Sequence, residues 1–214
     1  MKITIWADFV CPFCMIGQSH LDQALETFEH KDDVEIEYMS FLLMPEAQYD
    51  PKKSYAETLS SLKRMQLAQT NAMLSQVEQM AKSAGLAIDF AAAKLCSTLA
   101  AHRVFQYAKE EGKGYKYFKR FYQAHFADGE LLSDVDAVVR LAEEVGLEGD
   151  RVRDIFLSNE YRDKMEEDFR LAREIGVQGV PFFVFNYKYA ISGAQPVDAF
   201  RQVLQQVWEE EQIN

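Results

Sequence analysis

Residues Lys2–Ala7 place β-branched Ile3, Thr4 and Ile5 in a short alternating run, which predicts a buried strand. Beyond Cys11 the period changes: Cys14, Leu21, Leu25 and Phe28 fall on one face of a helix. The charged stretch His30-Lys31-Asp32-Asp33 breaks that pattern with a turn. Val34, Ile36 and Tyr38 then alternate with Glu35 and Glu37, giving a second strand with one wet face. Strand, helix and strand in this order imply a parallel pair joined by a right-handed crossover.

From Met44 to Gly176 the signals are helical only. Ser54 with Glu57 makes a capping box opening one long helix through Leu59, Leu62, Met73, Val77 and Met80 to Gly85. Asp89 is placed to cap a next helix carrying Leu95, Leu99, His102 and Phe105 and ending near Gly112. An aromatic helix over residues 115–126 stops at Asp128-Gly129, and Ser133 caps a further helix closed by Gly146. Asp150 starts a short helix, and a last one over residues 161–175 ends on Gly176. Strands then return: Phe182-Phe183-Val184-Phe185 and Tyr189-Ala190-Ile191 flank Asn186-Tyr187-Lys188 as a hairpin. Pro196 suits the first turn of a final amphipathic helix through Phe200, Val203, Leu204 and Val207. The order β-α-β, helical block, β-β-α divides the chain into an α/β domain, residues 1–43 with 177–214, and an inserted helical domain, residues 44–176.

The 214 residues, 48% hydrophobic and 13% aromatic, can build a sizeable core. A net charge of -11, without any long Lys/Arg run, argues against nucleic acid as a partner. Residues 1–6 carry one lysine and run directly into the first strand, without the basic start, apolar stretch and cleavage site of a secretory signal. No apolar run approaches the ~20 residues that span a bilayer, so the expectation is a cytoplasmic protein with no membrane partner. Three cysteines are too few for a disulfide scaffold, and in a reducing compartment they call for a chemical role.

That role centres on Asp8-Phe9-Val10-Cys11-Pro12-Phe13-Cys14. Two cysteines separated by two residues can close a small disulfide ring with little backbone movement. Following a strand and opening a helix, Cys11 is expected to be exposed near the helix N-terminus, where unpaired N–H groups and the helix dipole stabilise the attacking thiolate. Pro12 at the first helical turn loses no hydrogen bond and stiffens the loop. Cys14, one turn in, is expected to be more buried and to remain a thiol until it resolves a mixed disulfide on Cys11. Half of a zinc site is the competing explanation, but no second cysteine pair exists, and His20, His30, His102 and His125 show no ligand spacing. Two buried core cysteines are the other, against which the strand–CxxC–helix placement weighs. Cys96 reads as a small core residue. Gly179-Val180-Pro181 stands immediately before the third strand, an unremarkable place for proline taken alone.

The chain resembles the cytoplasmic, FrnE-like branch of the DsbA-like oxidoreductases in the thioredoxin superfamily. The resemblance spans nearly the whole chain and is carried by the motif from Asp8 to Cys14, Ser97-Thr98-Leu99-Ala100-Ala101-His102-Arg103, Val145-Gly146-Leu147, the stretch from Gly176 to Phe185, and Ser192-Gly193-Ala194-Gln195-Pro196. Phe13 stands where many relatives have tryptophan, and Ser97 where they tend to have asparagine. The resemblance implies a thioredoxin-like fold (β-α-β … β-β-α) with a large all-helical insertion. It implies thiol–disulfide oxidoreductase activity, Cys11 attacking and Cys14 resolving, with a reductase or isomerase role in the cytosol ahead of an oxidase one. Pro181 falls where such proteins place a cis-proline beside the cysteines, which would present the Val180 backbone to an extended substrate; Pro12 and Phe13 would flank it. Substrates would be protein, peptide or small-molecule disulfides, with no bound cofactor, glutathione as a redox partner, and a monomer or homodimer. His102 reads as a satisfied core histidine or as a lining of the substrate cleft, and the aromatics of residues 115–126 as core or as an apolar groove wall. The same superfamily offers an alternative, a glutathione-dependent transferase or isomerase of the kappa-class or chromene-carboxylate isomerase type. Those relatives usually have serine at the first catalytic position, whereas both cysteines are present here.

Overall fold

In the computed structural model, which describes residues 1–213, the chain opens with β1 (Lys2–Ala7), α1 (Pro12–Glu26) and β2 (Glu35–Ser40). Seven helices follow before the next strand: α2 (Tyr55–Lys63), α3 (Leu67–Ser83), α4 (Leu99–Glu110), α5 (Gly114–Phe126), α6 (Val135–Glu144), α7 (Gly149–Leu157) and α8 (Arg162–Glu174). The hairpin β3 (Phe182–Phe185) and β4 (Tyr189–Ser192) and the terminal α9 (Val197–Ile213) complete it. The four strands form one sheet in the order β2-β1-β3-β4. β1 runs parallel to β2, with Ile5 opposite Tyr38, and antiparallel to β3, with Ile5 opposite Phe183. The mixed α/β architecture with its helical insertion between β2 and β3 is the one expected from the element order.

Alternation along the strands divides the sheet's faces. Ile3, Ile5, Phe183 and Phe185 are buried in the large core, where the Phe183 and Phe200 rings lie 4.9 Å apart, tying β3 to α9. Trp6, Met39, Phe182 and Val184 face the other way and pack with Ala172, Leu171 and Val177 at the end of α8. Tyr117, Phe118, Phe121, Tyr122 and Phe126 of α5 are all buried, and Phe9, next to the cysteine loop, sits among them, 4.3 Å from the Phe118 ring. The aromatic run is therefore core packing and not a groove wall.

Three helix boundaries differ from expectation. The predicted long helix is two: Arg64 turns left-handed at φ 54, and the Arg64 and Met65 amides both donate to the Ser60 carbonyl. The capping box that opens α2 forms as expected, Ser54 and Glu57 capping one another. Asp89 caps no helix; its carboxylate accepts from the amides of Ala91 (2.8 Å) and Ala92 (3.3 Å) in a local turn, and α4 begins ten residues later at Leu99. Asp134 rather than Ser133 caps α6, accepting from the Ala137 amide at 2.9 Å.

His125, buried on α5, has neither ring nitrogen hydrogen-bonded within the protein, and burial pushes its pKa down to about 4. The unfolded chain then binds a proton that the folded chain refuses between the ordinary histidine value and that one, so stability falls as pH drops through this window. His125→Phe should remove this contribution, flattening the difference in unfolding free energy between pH 7 and pH 4 by about 3 kcal/mol. Urea titrations of both proteins across that range check it, and parallel curves would contradict it.

Candidate active site

β1 delivers the chain to residues 8–10, and α1 begins at Pro12, so Cys11 occupies the N-cap position with extended backbone. Pro12, the first residue of the helix, has no N–H to leave unpaired. The Cys14 and Met15 amides turn back to the Cys11 carbonyl at 3.1 and 3.4 Å, which brings Cys14 beneath Cys11. The two residues approach to 3.2 Å. Both are free thiols, 3% and 2% exposed respectively, so Cys11 is buried and not exposed as expected, the Val180 main chain lying against its thiol, whereas Phe13 between them is 38% exposed and shoulders the site.

The Cys11 thiol donates to the Val180 carbonyl at 3.5 Å. The Val180–Pro181 peptide is cis, and Pro181 precedes β3, whose register with β1 carries it alongside the cysteine loop. Gly17 allows this approach: a Cβ there would meet the Pro181 and Phe183 rings at 3.1 Å. Cys11, Pro12, Phe13, Cys14, Val180 and Pro181, far apart in sequence, are thus gathered in one place.

Burial first, then hydrogen bonding and charge from Cys11, push the Cys14 thiol well above its ordinary value. Cys14 therefore stays a thiol at neutral pH. Cys96 is buried as well and is pushed up to about 11, again mainly by burial. Iodoacetamide at pH 8 should modify Cys14 and Cys96 only after denaturation, leaving at most one thiol reactive in the native protein. Peptide mass mapping after timed labelling checks this, and native modification of either residue would contradict it.

Behind the cysteines lies a buried polar chain. The Asp8 carboxylate, fully enclosed, accepts from the Thr98 hydroxyl at 2.7 Å and the Leu43 amide at 2.8 Å, and meets His102 Nε2 at 3.3 Å. His102 Nδ1 lies 3.1 Å from the Ser40 hydroxyl, which also accepts from Gln106 Nε2 at 2.9 Å. With Ser40 donating to Nδ1, His102 donates from Nε2 to Asp8, and each buried group has a partner. The same Gln106 amide donates to Asp168 at 2.6 Å, and Lys109 lies 3.7 Å from that carboxylate. Burial raises the Asp168 carboxyl, and the Lys109 charge pulls it back. His102 thus contacts protein on both nitrogens, has no exposed surface, and belongs to the core side of the two roles its position allowed. Ser40, Gln106 and Asp168 carried no sequence signal, since each is an isolated polar residue in an otherwise ordinary helix or strand, and Thr98 stood out only as part of the segment from Ser97 to Arg103. Among the described residues, no three His, Cys, Asp or Glu side chains converge as metal ligands would.

The pattern of the DSBA-like thioredoxin domain matches residues 2–205. The chain belongs to that family. A probable DsbA oxidoreductase of Streptomyces coelicolor shares 34% identity and superposes with a TM-score of 0.90 over 98% of this chain and 91% of that one. The uncharacterized Bacillus subtilis protein YwbO is 30% identical over 95% of this chain and 96% of its own. The fold extends to the Pseudomonas aeruginosa cytosolic disulfide reductase DsbM, at 17% identity and a TM-score of 0.66, covering 98% and 99% of the two chains. That reductase has also been solved with GSH. In this DsbA-like chain the sheet and the helical insertion are therefore family features.

Proposed function

We propose that this DsbA-like protein is a dithiol–disulfide oxidoreductase of the FrnE-like kind, acting in the cytoplasm as a reductase or isomerase. The observation that carries the reading is the pair of free thiols 3.2 Å apart at the start of α1, one of them held protonated. In the reducing direction the Cys11 thiolate attacks one sulfur of a substrate disulfide, forming a mixed disulfide and expelling the other sulfur as a thiolate. Cys14 then loses its proton and attacks Cys11 Sγ, which frees the second substrate sulfur and leaves a Cys11–Cys14 disulfide. Two electrons have passed from the dithiol to the substrate, and an external thiol restores them.

Glutathione, present as GSH in the DsbM structure, suits that last step as a diffusible redox partner with no resident cofactor. The exposed Phe13 and the Val180 backbone supply an apolar shoulder and polar main chain for a peptide beside the sulfurs. Absence of a helix long and apolar enough to cross a membrane among the described residues fits a role away from the bilayer core.

Cys14→Ser tests the proposal. Incubated with glutathione disulfide, the variant should accumulate one glutathionyl group on Cys11, while wild type completes the cycle and carries none. A transferase or isomerase that merely activates glutathione would keep its turnover in this variant. Intact-protein mass spectrometry with and without reductant reads the result; an unmodified Cys14→Ser protein would overturn the mechanism.

A further inference from the structure

Away from the cysteines, α4 and α8 enclose a cavity of about 400 Å³. Three guanidinium groups line it, those of Arg103, Arg162 and Arg173, with Glu166 as the carboxylate among the lining residues. In a chain of net charge -11, this is a local reversal of sign. Glu166 is already engaged by Arg162 at 2.7 Å, and Arg173 makes no ion pair among the described residues. Arg103 is 7% exposed; one terminal nitrogen donates to the Phe156 carbonyl at 2.9 Å, but its Nε is buried without a hydrogen-bond partner.

A buried, unpaired guanidinium N–H is costly, and burying it beside a second cation raises the cost. Burial first and the Arg162 charge second lower the proton affinity of Arg103, as expected for a cation lacking its counter-charge. Guanidinium forks match carboxylate and phosphate oxygens, and such charge-assisted bonds are the strong ones. Leu99 and Phe169 supply apolar wall between the arginines, so the cavity has room and surface for an organic body as well as for charge.

We propose that this cavity binds a small anion bearing two negative charges on carboxylate or phosphate oxygens, with Arg103 as the buried anchor and Arg162 and Arg173 closing over it. The site does not depend on the redox reading, because neither Cys11 nor Cys14 is among the residues that line it.

Isothermal titration of the full chain with citrate, and separately with inorganic phosphate, at pH 7 and ionic strength fixed with NaCl, tests the proposal. Saturable one-site binding is expected, weakened about tenfold or more in Arg173→Gln and in Arg162→Gln. Both residues are exposed, so these variants preserve the fold where Arg103→Met could fail to, and far-UV circular dichroism verifies that they do. Arg140→Gln, which removes an exposed cation on α6, should leave the affinity unchanged. Binding of citrate alone assigns the site to polycarboxylates, and binding of phosphate alone to phosphate esters. No saturable binding of either probe, unaltered affinity in both pocket variants, or equal weakening in Arg140→Gln would overturn the proposal.

Discussion

Cys11→Ser should abolish disulfide exchange, lowering the rate of peptide-disulfide reduction at the expense of dithiothreitol by about three orders of magnitude or more. A serine hydroxyl at this helix start is not ionised at neutral pH and can form no sulfur–sulfur bond, so neither the attack nor the mixed disulfide survives. The fold should be untouched: the thiol's hydrogen bonds, to the Val180 carbonyl at 3.5 Å and with the Cys14 thiol, are weak ones that a hydroxyl can replace. Cys14→Ser should fail differently, completing the first step and stopping there. Residual exchange within about tenfold of wild type in Cys11→Ser would place the chemistry elsewhere, and Cys14 and Cys96 would be the remaining thiols to examine.

Asp8→Ala should be the most destabilising single substitution around the site, by about 3 kcal/mol or more. The Asp8 carboxylate joins β1 to the loop after β2 through Leu43, and to the head of α4 through Thr98 and His102. Removing it strands the amides of Leu43 and Val10, one hydroxyl and one imidazole, which costs more than the bonds themselves contribute. Asp8→Asn retains an acceptor for the Thr98 hydroxyl and should lose markedly less. Urea denaturation of the three proteins measures the order; equal stability of wild type and Asp8→Ala would contradict it.

Much of this architecture is legible in the sequence because its signals are local. The β-branched run at Ile3, Thr4 and Ile5, the alternation around Ile36, the Ser54–Glu57 box and the glycine after α8 each report on their own few residues, and each element forms. The break at Arg64 is hidden because arginine is a good helix former; only the left-handed backbone there, satisfied by the Ser60 carbonyl, ends α2. Asp89 misleads because aspartate serves a turn as readily as a helix cap. At the site, the cysteines and Pro181 stand out by their motif and by the resemblance it carries. The buried chain from Asp8 through His102 and Ser40 to Asp168 is long-range: its members come from the loop after β1, α4, β2 and α8, and only packing brings them together. The arginine cavity is hidden for the same reason, since Arg103 and Arg173 are 70 residues apart in a chain whose overall charge is negative.

Cys11 and Cys14 are proposed here as a working redox pair. Equilibrating the protein in glutathione buffers of graded poise and counting free thiols by quenched alkylation tests it most directly. A reversible two-electron transition confined to Cys11 and Cys14 is expected, with Cys96 reduced throughout. A midpoint toward the ~-270 mV of thioredoxin would fit the reductase role, and one toward the ~-120 mV of DsbA would reassign the protein as an oxidant. If no intramolecular disulfide formed at any poise, the dithiol mechanism would be contradicted.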